Sequence, residues 1–114
     1  MTELARLKRR IDFLALAATR RKHVTPGLIL QACPNPAGGM PRVGFTASRK
    51  VGIAVKRNRA RRRLRAAADQ VLRRHASAGH DYVLIARGET LVRPFADLLG
   101  DLETAMKRLN AWAE

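Results

Sequence analysis

Few residues of this chain could carry out chemistry on their own. The three histidines, His23, His75 and His80, have no metal-ligand spacing, and neither an HExxH pattern nor an acid–base pair of carboxylates occurs. Ser48 would be a nucleophile only beside a base, and none is apparent, so a phosphate hydrogen bond suits it better. Gly38-Gly39 lacks the following Lys-Ser/Thr of a phosphate-binding P-loop and reads as a turn. Asp12, next to Phe13, reads as an N-terminal helix surface residue, Asp69 as helix surface and Asp81 as strand edge. Positive charge, by contrast, is abundant. Residues 49–65, Arg-Lys-Val-Gly-Ile-Ala-Val-Lys-Arg-Asn-Arg-Ala-Arg-Arg-Arg-Leu-Arg, carry nine positive charges and no negative one. From Phe13 to Ala68 there is no Asp or Glu at all, against thirteen Lys and Arg.

Solvated helices ordinarily mix the two signs, because Glu and Lys at i, i+4 attract and like charges repel. A segment this one-sided loses stability through self-repulsion unless a polyanion occupies it. The net charge of +14 over 114 residues makes nucleic acid the natural counterpart. Arg greatly outnumbers Lys, and a guanidinium suits bidentate phosphate contacts and base stacking better than an ammonium. Lys56-Arg57-Asn58-Arg59 opens a helix, where free backbone N–H groups and the dipole also draw anions. Arg61, Arg62 and Arg65 extend that surface through i, i+4 steps suited to a phosphate backbone. Arg49 and Lys50 lie in the loop leading into it.

The elements that must position these residues follow from periodicity. Residues 3 to about 19 favour a helix through Ile11, Leu14, Ala17 and Ala18. His23 to Thr25 suits a very short strand before Pro26-Gly27, and Leu28–Cys33 and Arg42–Ser48 read as strands. With Pro34–Pro41 as an eight-residue connection, those two strands are expected to form an antiparallel pair. A helix is expected from Ala54 or Val55 to about His75. Its Ala60, Leu64, Ala67, Ala68 and Val71 fall within a sector of roughly 100°, leaving the remaining circumference to Arg and Asn. Asp81–Ala86, with Tyr-Val-Leu-Ile at its centre, is apolar enough for a central strand. Arg93 to Trp112 reads as a final helix of mixed charge, structural in role. The result is an α+β sandwich with helices on a mixed sheet.

A length of 114 residues and an apolar fraction of 46% suit a single folded domain spanning 1–114. The lone Cys33 has no partner for an internal disulfide or a thiolate metal site. The longest apolar run, Phe13–Ala18, is too short to cross a membrane, and Asp12 interrupts the stretch that would otherwise suggest a signal peptide. An intracellular, cytoplasmic protein is expected.

The block Ser48-Arg49-Lys50-Val51-Gly52-Ile53-Ala54-Val55-Lys56-Arg57-Asn58-Arg59-Ala60-Arg61-Arg62-Arg63-Leu64-Arg65 closely resembles the signature of the bacterial ribonuclease P protein family. Arg42-Val43-Gly44-Phe45, Asp81–Arg87 and Asp12-Phe13 extend the similarity over most of the chain. The resemblance implies an αβββαβα order of the ribosomal-protein S5 domain 2-like kind, a two-layer sandwich on a mixed four-stranded sheet. It also implies a left-handed βαβ crossover, which general chain handedness would not suggest. The implied function is to assist a catalytic RNA in the Mg²⁺-dependent endonucleolytic removal of the 5′ leader from precursor tRNA. Catalytic Mg²⁺ would be held mainly by the RNA, with no catalytic residue and no bound metal in this chain, which would act as a monomer in a 1:1 complex. Ser48, Arg49, Lys50, Lys56, Arg57, Asn58, Arg59, Arg61, Arg62 and Arg65 would contact RNA.

A cleft between the first helix and the sheet would hold the single-stranded leader, with Phe13, Ala17 and Gln31 at the family's cleft positions. Only Phe13 is aromatic among these three. Base stacking contributes about 1–3 kcal/mol per base, so Arg–phosphate contacts are expected to take a larger share here. A non-enzymatic ribosomal protein would show similar charge and size. A DNA-reading helix would present base-reading side chains on one side only, whereas this cationic arc is wide. A membrane-active cationic helix would need a broader apolar stripe and interfacial aromatics.

Overall fold

The structure, a computed structural model, describes residues 3–114. In chain order the elements are β1 (Ala5–Arg6), α1 (Arg10–Ala18), β2 (Lys22–Val24), β3 (Leu28–Pro34), β4 (Arg42–Thr46), α2 (Ala54–His75), β5 (His80–Ala86) and α3 (Phe95–Arg108). Single 3₁₀ turns at Arg49–Val51 and Gly88–Leu91 follow β4 and β5. The five strands form one sheet in the order β1-β4-β5-β3-β2. β4 runs parallel to both β1 and β5, and β3 runs antiparallel to both β5 and β2. The α+β class and mixed sheet expected from the pattern are present.

β5 takes the centre because Tyr82, Val83 and Leu84 are buried on both of its faces. The sheet then has two unequal sides. Leu28, Leu30 and Ala32 of β3, Tyr82, Leu84 and Ala86 of β5, and Val43 of β4 point toward α2 and α3, where they meet Leu64, Ala68, Leu98, Leu102 and Met106. Among the described residues the opposite side carries α1 alone of the helices, and its Leu16 packs with Leu7 and Val83. Alternation along each strand makes this division possible, since i and i+2 share a face.

Three expectations are corrected. β3 and β4 are not neighbours: β5 lies between them, so no antiparallel pair joins Leu28–Cys33 to Arg42–Ser48. The Pro34–Pro41 connection instead passes the start of β5, with the Asn35 N–H donating to Gly79 O at 2.6 Å and the Gly79 N–H to Gly39 O at 2.7 Å. A long, Pro-rich connection does not impose a tight hairpin, and the most apolar strand competes successfully for the interior. The N-terminal helix is also shorter than residues 3–19. Ala5–Arg6 pairs with β4 as an edge strand, making the sheet five-stranded where four were expected. The strand count is thereby corrected along with the helix bounds, while the helical spacing of Ile11 and Leu14 does fall within α1. Ile11 is 65% and Leu14 55% exposed, while Leu16 and half-buried Phe13 face the sheet.

α2 follows its pattern closely: Ala60, Leu64, Ala67, Ala68 and Leu72 are buried, with Val71 partly so. Gly52, at φ +143°, turns the chain just before this helix, and a Cβ there would stand 2.8 Å from Lys56 Cδ. On the far side, Asp101 of α3 accepts from the Gly27 N–H at 3.0 Å and from Arg93 Nε and Nη2 at 3.0 and 3.1 Å. That triad clamps the β2–β3 turn to α3.

Candidate nucleic-acid interface

Two surfaces converge on the segment between β4 and α2. The first is the outer face of α2. Among the described residues, none of the nine cations from Arg49 to Arg65 forms a salt bridge with a carboxylate. The first turn of α2 has neither a side-chain cap nor an acid, so its leading N–H groups add to the positive field. Arg49, Lys50, Lys56, Asn58, Arg59, Arg62 and Arg65 are exposed, and Arg57 and Arg61 are half-buried.

Local bonds sort these side chains further. Arg57 Nη1 donates to Gly52 O at 3.2 Å and ties the helix to its lead-in turn. Arg61 Nη1 donates to Asn58 Oδ1 at 2.9 Å, which orients both groups on the open surface. Ser48 Oγ accepts from the Lys50 N–H at 3.3 Å, closing the 3₁₀ turn. Arg63 behaves differently. It donates to Thr90 O at 2.7 Å and to Arg93 O, tethering α2 to the segment before α3. The Arg49–Lys50 and Arg57–Arg65 positions singled out from the sequence therefore share one continuous surface, with Arg63 turned away into a structural contact.

The second surface is the uncovered part of the sheet beside α1. Strand register places Ile29, Gln31 and Cys33 of β3 opposite Ile85, Val83 and Asp81 of β5, with Gly44 and Thr46 of β4 alongside. Phe13 of α1 rests against Gly44, and a Cβ at that position would come within 2.5 Å of the Phe13 ring. Ala17 lies one turn after Phe13 and is exposed. Phe13 and Ala17 thus lie on α1 and Gln31 on the strand face that α1 partly covers.

The structure adds residues that no local pattern marks. A cavity of about 300 Å³ at the other end of this face is lined by Ile29 and Ile85, with Ser48, Lys50 and Arg87 at its edge. It joins the apolar sheet surface to the cationic lead-in of α2. Its members come from three distant segments, and the β3–β5 and β4–β5 registers bring them together.

Asp12 and Asp81 are not the simple surface and strand-edge residues their surroundings in the chain suggest. Arg42 donates through Nε and Nη2 to the two oxygens of buried Asp81 at 2.9 and 2.7 Å, and its Nη1 stands 3.7 Å from Asp12. The Arg9 hydrogen bond, aided by the charges of Arg9 and Arg42, holds the Asp12 carboxyl below the ordinary carboxylate range. The cluster pins α1 across the sheet. Burial pushes the Cys33 thiol up, which disfavours a reactive thiolate. Among the described residues no group of three or more His, Cys, Asp or Glu gathers where a metal ion could be held. No described helix is long and apolar enough to cross a membrane.

Comparison with known proteins adds to this geometry. The family model described as Ribonuclease P matches residues 1–110. The ribonuclease P protein component of Paramagnetospirillum magneticum is 59% identical over 112 residues, covering 95% of this chain and 84% of the relative. That of Caulobacter vibrioides is 47% identical over 108 residues, covering 93% and 71%. Among solved structures, the RNase P protein of Staphylococcus aureus matches with a TM-score of 0.74 at 22% identity, covering 96% of this chain and 99% of that one. The RNase P protein of Thermotoga maritima matches with a TM-score of 0.71 at 24% identity, covering 87% and 92%. At these identities the structural likeness is one of fold.

Proposed function

Because this chain belongs to the ribonuclease P protein family, we propose that it acts as the protein subunit of ribonuclease P, binding the catalytic RNA and the 5′ leader of precursor tRNA while the leader is hydrolysed away. The observation that carries this reading is the α2 surface, whose cations from Lys56 to Arg65 form no salt bridge within the described chain. Phosphates supply what the fold withholds, and guanidinium groups at i, i+4 steps suit a backbone passing along the helix.

Each part of the chain has a binding or orienting role. Arg57, Asn58, Arg59, Arg61, Arg62 and Arg65 engage the catalytic RNA, with Lys56 and the free N–H groups of the first helical turn beside them. Ser48, Arg49 and Lys50 lie where this surface meets the sheet cleft, so a leader strand in the cleft and RNA on α2 are held by one rigid body. Phe13 offers a stacking surface for a leader base, Gln31 a polar group on the cleft floor, and Ala17 an open shoulder on α1. Hydrolysis belongs to Mg²⁺ held mainly by the RNA. One copy per RNA, in the cytoplasm, completes the proposal.

The test is reconstitution. The purified chain is added to a bacterial ribonuclease P RNA at low Mg²⁺, and precursor tRNA cleavage is followed. Cleavage that rises with protein up to one equivalent is expected. Cleavage unchanged by the protein, or a chain that sediments with ribosomal subunits instead, contradicts the reading.

A further inference from the structure

On the α2 side of the sheet, at its β1–β4 edge, lies a second cavity of about 300 Å³. Phe45 of β4 lines it together with Arg6, Arg65, Asp69 and Arg73. Phe45 is half-buried, and both Arg6 and Arg65 hold their guanidinium carbons over its ring, 5.5 and 5.8 Å from the centroid. The ring packs on the core beside Leu4 and Val43, and the two long-stemmed arginines stand over it at the cavity. An aromatic surface with cations beside it for the phosphate has the composition of a base-stacking platform.

Asp69 is the feature that a phosphate site does not account for. It is the only acid on α2, and its carboxylate would repel a phosphate chain passing along the helix. Its side chain is 55% exposed at the cavity and can accept from N–H donors. Arg73 Nε reaches Oδ1 at 3.3 Å, and among the described residues Oδ2 receives no hydrogen bond. Guanine alone of the four RNA bases presents two adjacent donors, N1–H and the N2 amino group, to the two oxygens of a carboxylate. Adenine and cytosine place an acceptor nitrogen beside their amino group, and uracil has a single N–H.

Resting on the RNA-binding reading above, we propose that this cavity receives one unpaired guanine base of the partner RNA, stacked on Phe45 and read along its edge by Asp69. Arg65 belongs to both surfaces, so a backbone held on α2 is already within one side chain of the cavity mouth. The inserted base displaces Arg6 or Arg65 from the ring and leaves that guanidinium for its phosphate.

The experiment has two arms on the intact chain. In the first, guanosine, adenosine and uridine 5′-monophosphates are titrated into isotopically labelled protein and followed by NMR. Guanosine monophosphate should shift the amides of Phe45, Arg65 and Asp69 at several-fold lower concentration than the others, and Asp69→Asn should abolish that preference. Addition of ribonuclease P RNA should expel the mononucleotide. Equal response to all three nucleotides, or a guanosine nucleotide that still enters the RNA complex, overturns the proposal.

The second arm measures affinity for ribonuclease P RNA against salt. Phe45→Leu keeps the apolar packing and removes the stacking face. It should weaken binding by about tenfold with an unchanged salt slope, because stacking releases no counterions. Arg65→Ala should lower the slope by about one. Undiminished affinity of Phe45→Leu overturns the inference. If the wild-type chain stimulates precursor tRNA cleavage while guanine selectivity is absent, only the cavity proposal fails. If cleavage stimulation is absent, the functional reading fails by itself.

Discussion

Arg61 and Arg62 stand in the middle of a surface that no carboxylate of the described chain reaches. Among the described residues half-buried Arg61 bonds only to Asn58 at the surface and Arg62 is exposed, so replacing both with Glu removes little that the fold needs. Exposed substitutions of this kind change stability by about 0.5 kcal/mol or less. Affinity for ribonuclease P RNA should nevertheless fall by roughly a hundredfold or more, since two phosphate contacts become repulsions. Filter binding and thermal melting of the same preparation separate the two effects. At Phe13 the conservative variant is more informative than Ala, because the ring also packs on Gly44. Phe13→Leu should weaken binding of precursor tRNA by roughly 1–3 kcal/mol, the contribution of one stacked base, and leave mature tRNA binding unchanged. An equal loss with both substrates would assign the ring to packing alone.

At the scale of elements, the placement of α1 decides whether a cleft exists. Three contacts hold it: Leu16 in a small core with Leu7 and Val83, Phe13 on Gly44, and Asp12 beside Arg42. Gly44→Ala drives a methyl group to 2.5 Å from the ring, and overpacking of that kind costs about 1–3 kcal/mol, readable by urea unfolding. Asp12 gives the same contact a pH signature. Its folded-state carboxyl titrates below the ordinary range, so the unfolded chain binds its proton first as pH falls. The stabilisation is complete above the ordinary carboxylate range near pH 4 and is lost as pH drops through the lowered folded value. Asp12→Asn should therefore flatten the acid limb of the stability curve while changing its neutral plateau less.

What the sequence made legible at this scale is uneven for physical reasons. α2 was readable because a 3.6-residue stripe and a single sign of charge are local properties, and Ala60, Leu64, Ala67 and Ala68 bury as the stripe requires. The β3–β4 pairing was misread because strand neighbours are chosen across the whole chain, and the more apolar β5 intervenes. Ile11 and Leu14 mark α1 correctly as a helix, but an apolar repeat does not say which side meets the sheet, and both are exposed. The Arg42–Asp81 pair, 39 residues apart, and the cavity joining Ile29, Ile85 and Lys50 have no local signal at all.

The molecule as a whole is divided by its sheet. One side holds the main core and, outside it, the cationic helix; the other carries α1 and the open strip of β3 and β5. Acids concentrate in the last third of the chain, where Asp101, Glu103 and Asp97 serve or flank α3. The middle is left with uncompensated charge, which destabilises the free protein by self-repulsion and which a bound polyanion would relieve. Affinity for ribonuclease P RNA measured as a function of salt tests this most directly. With about six phosphates neutralised, binding should weaken by roughly a thousandfold between 50 and 200 mM monovalent salt. A change of less than about tenfold over that range would contradict the account, because the arginines of α2 would then not be meeting phosphates.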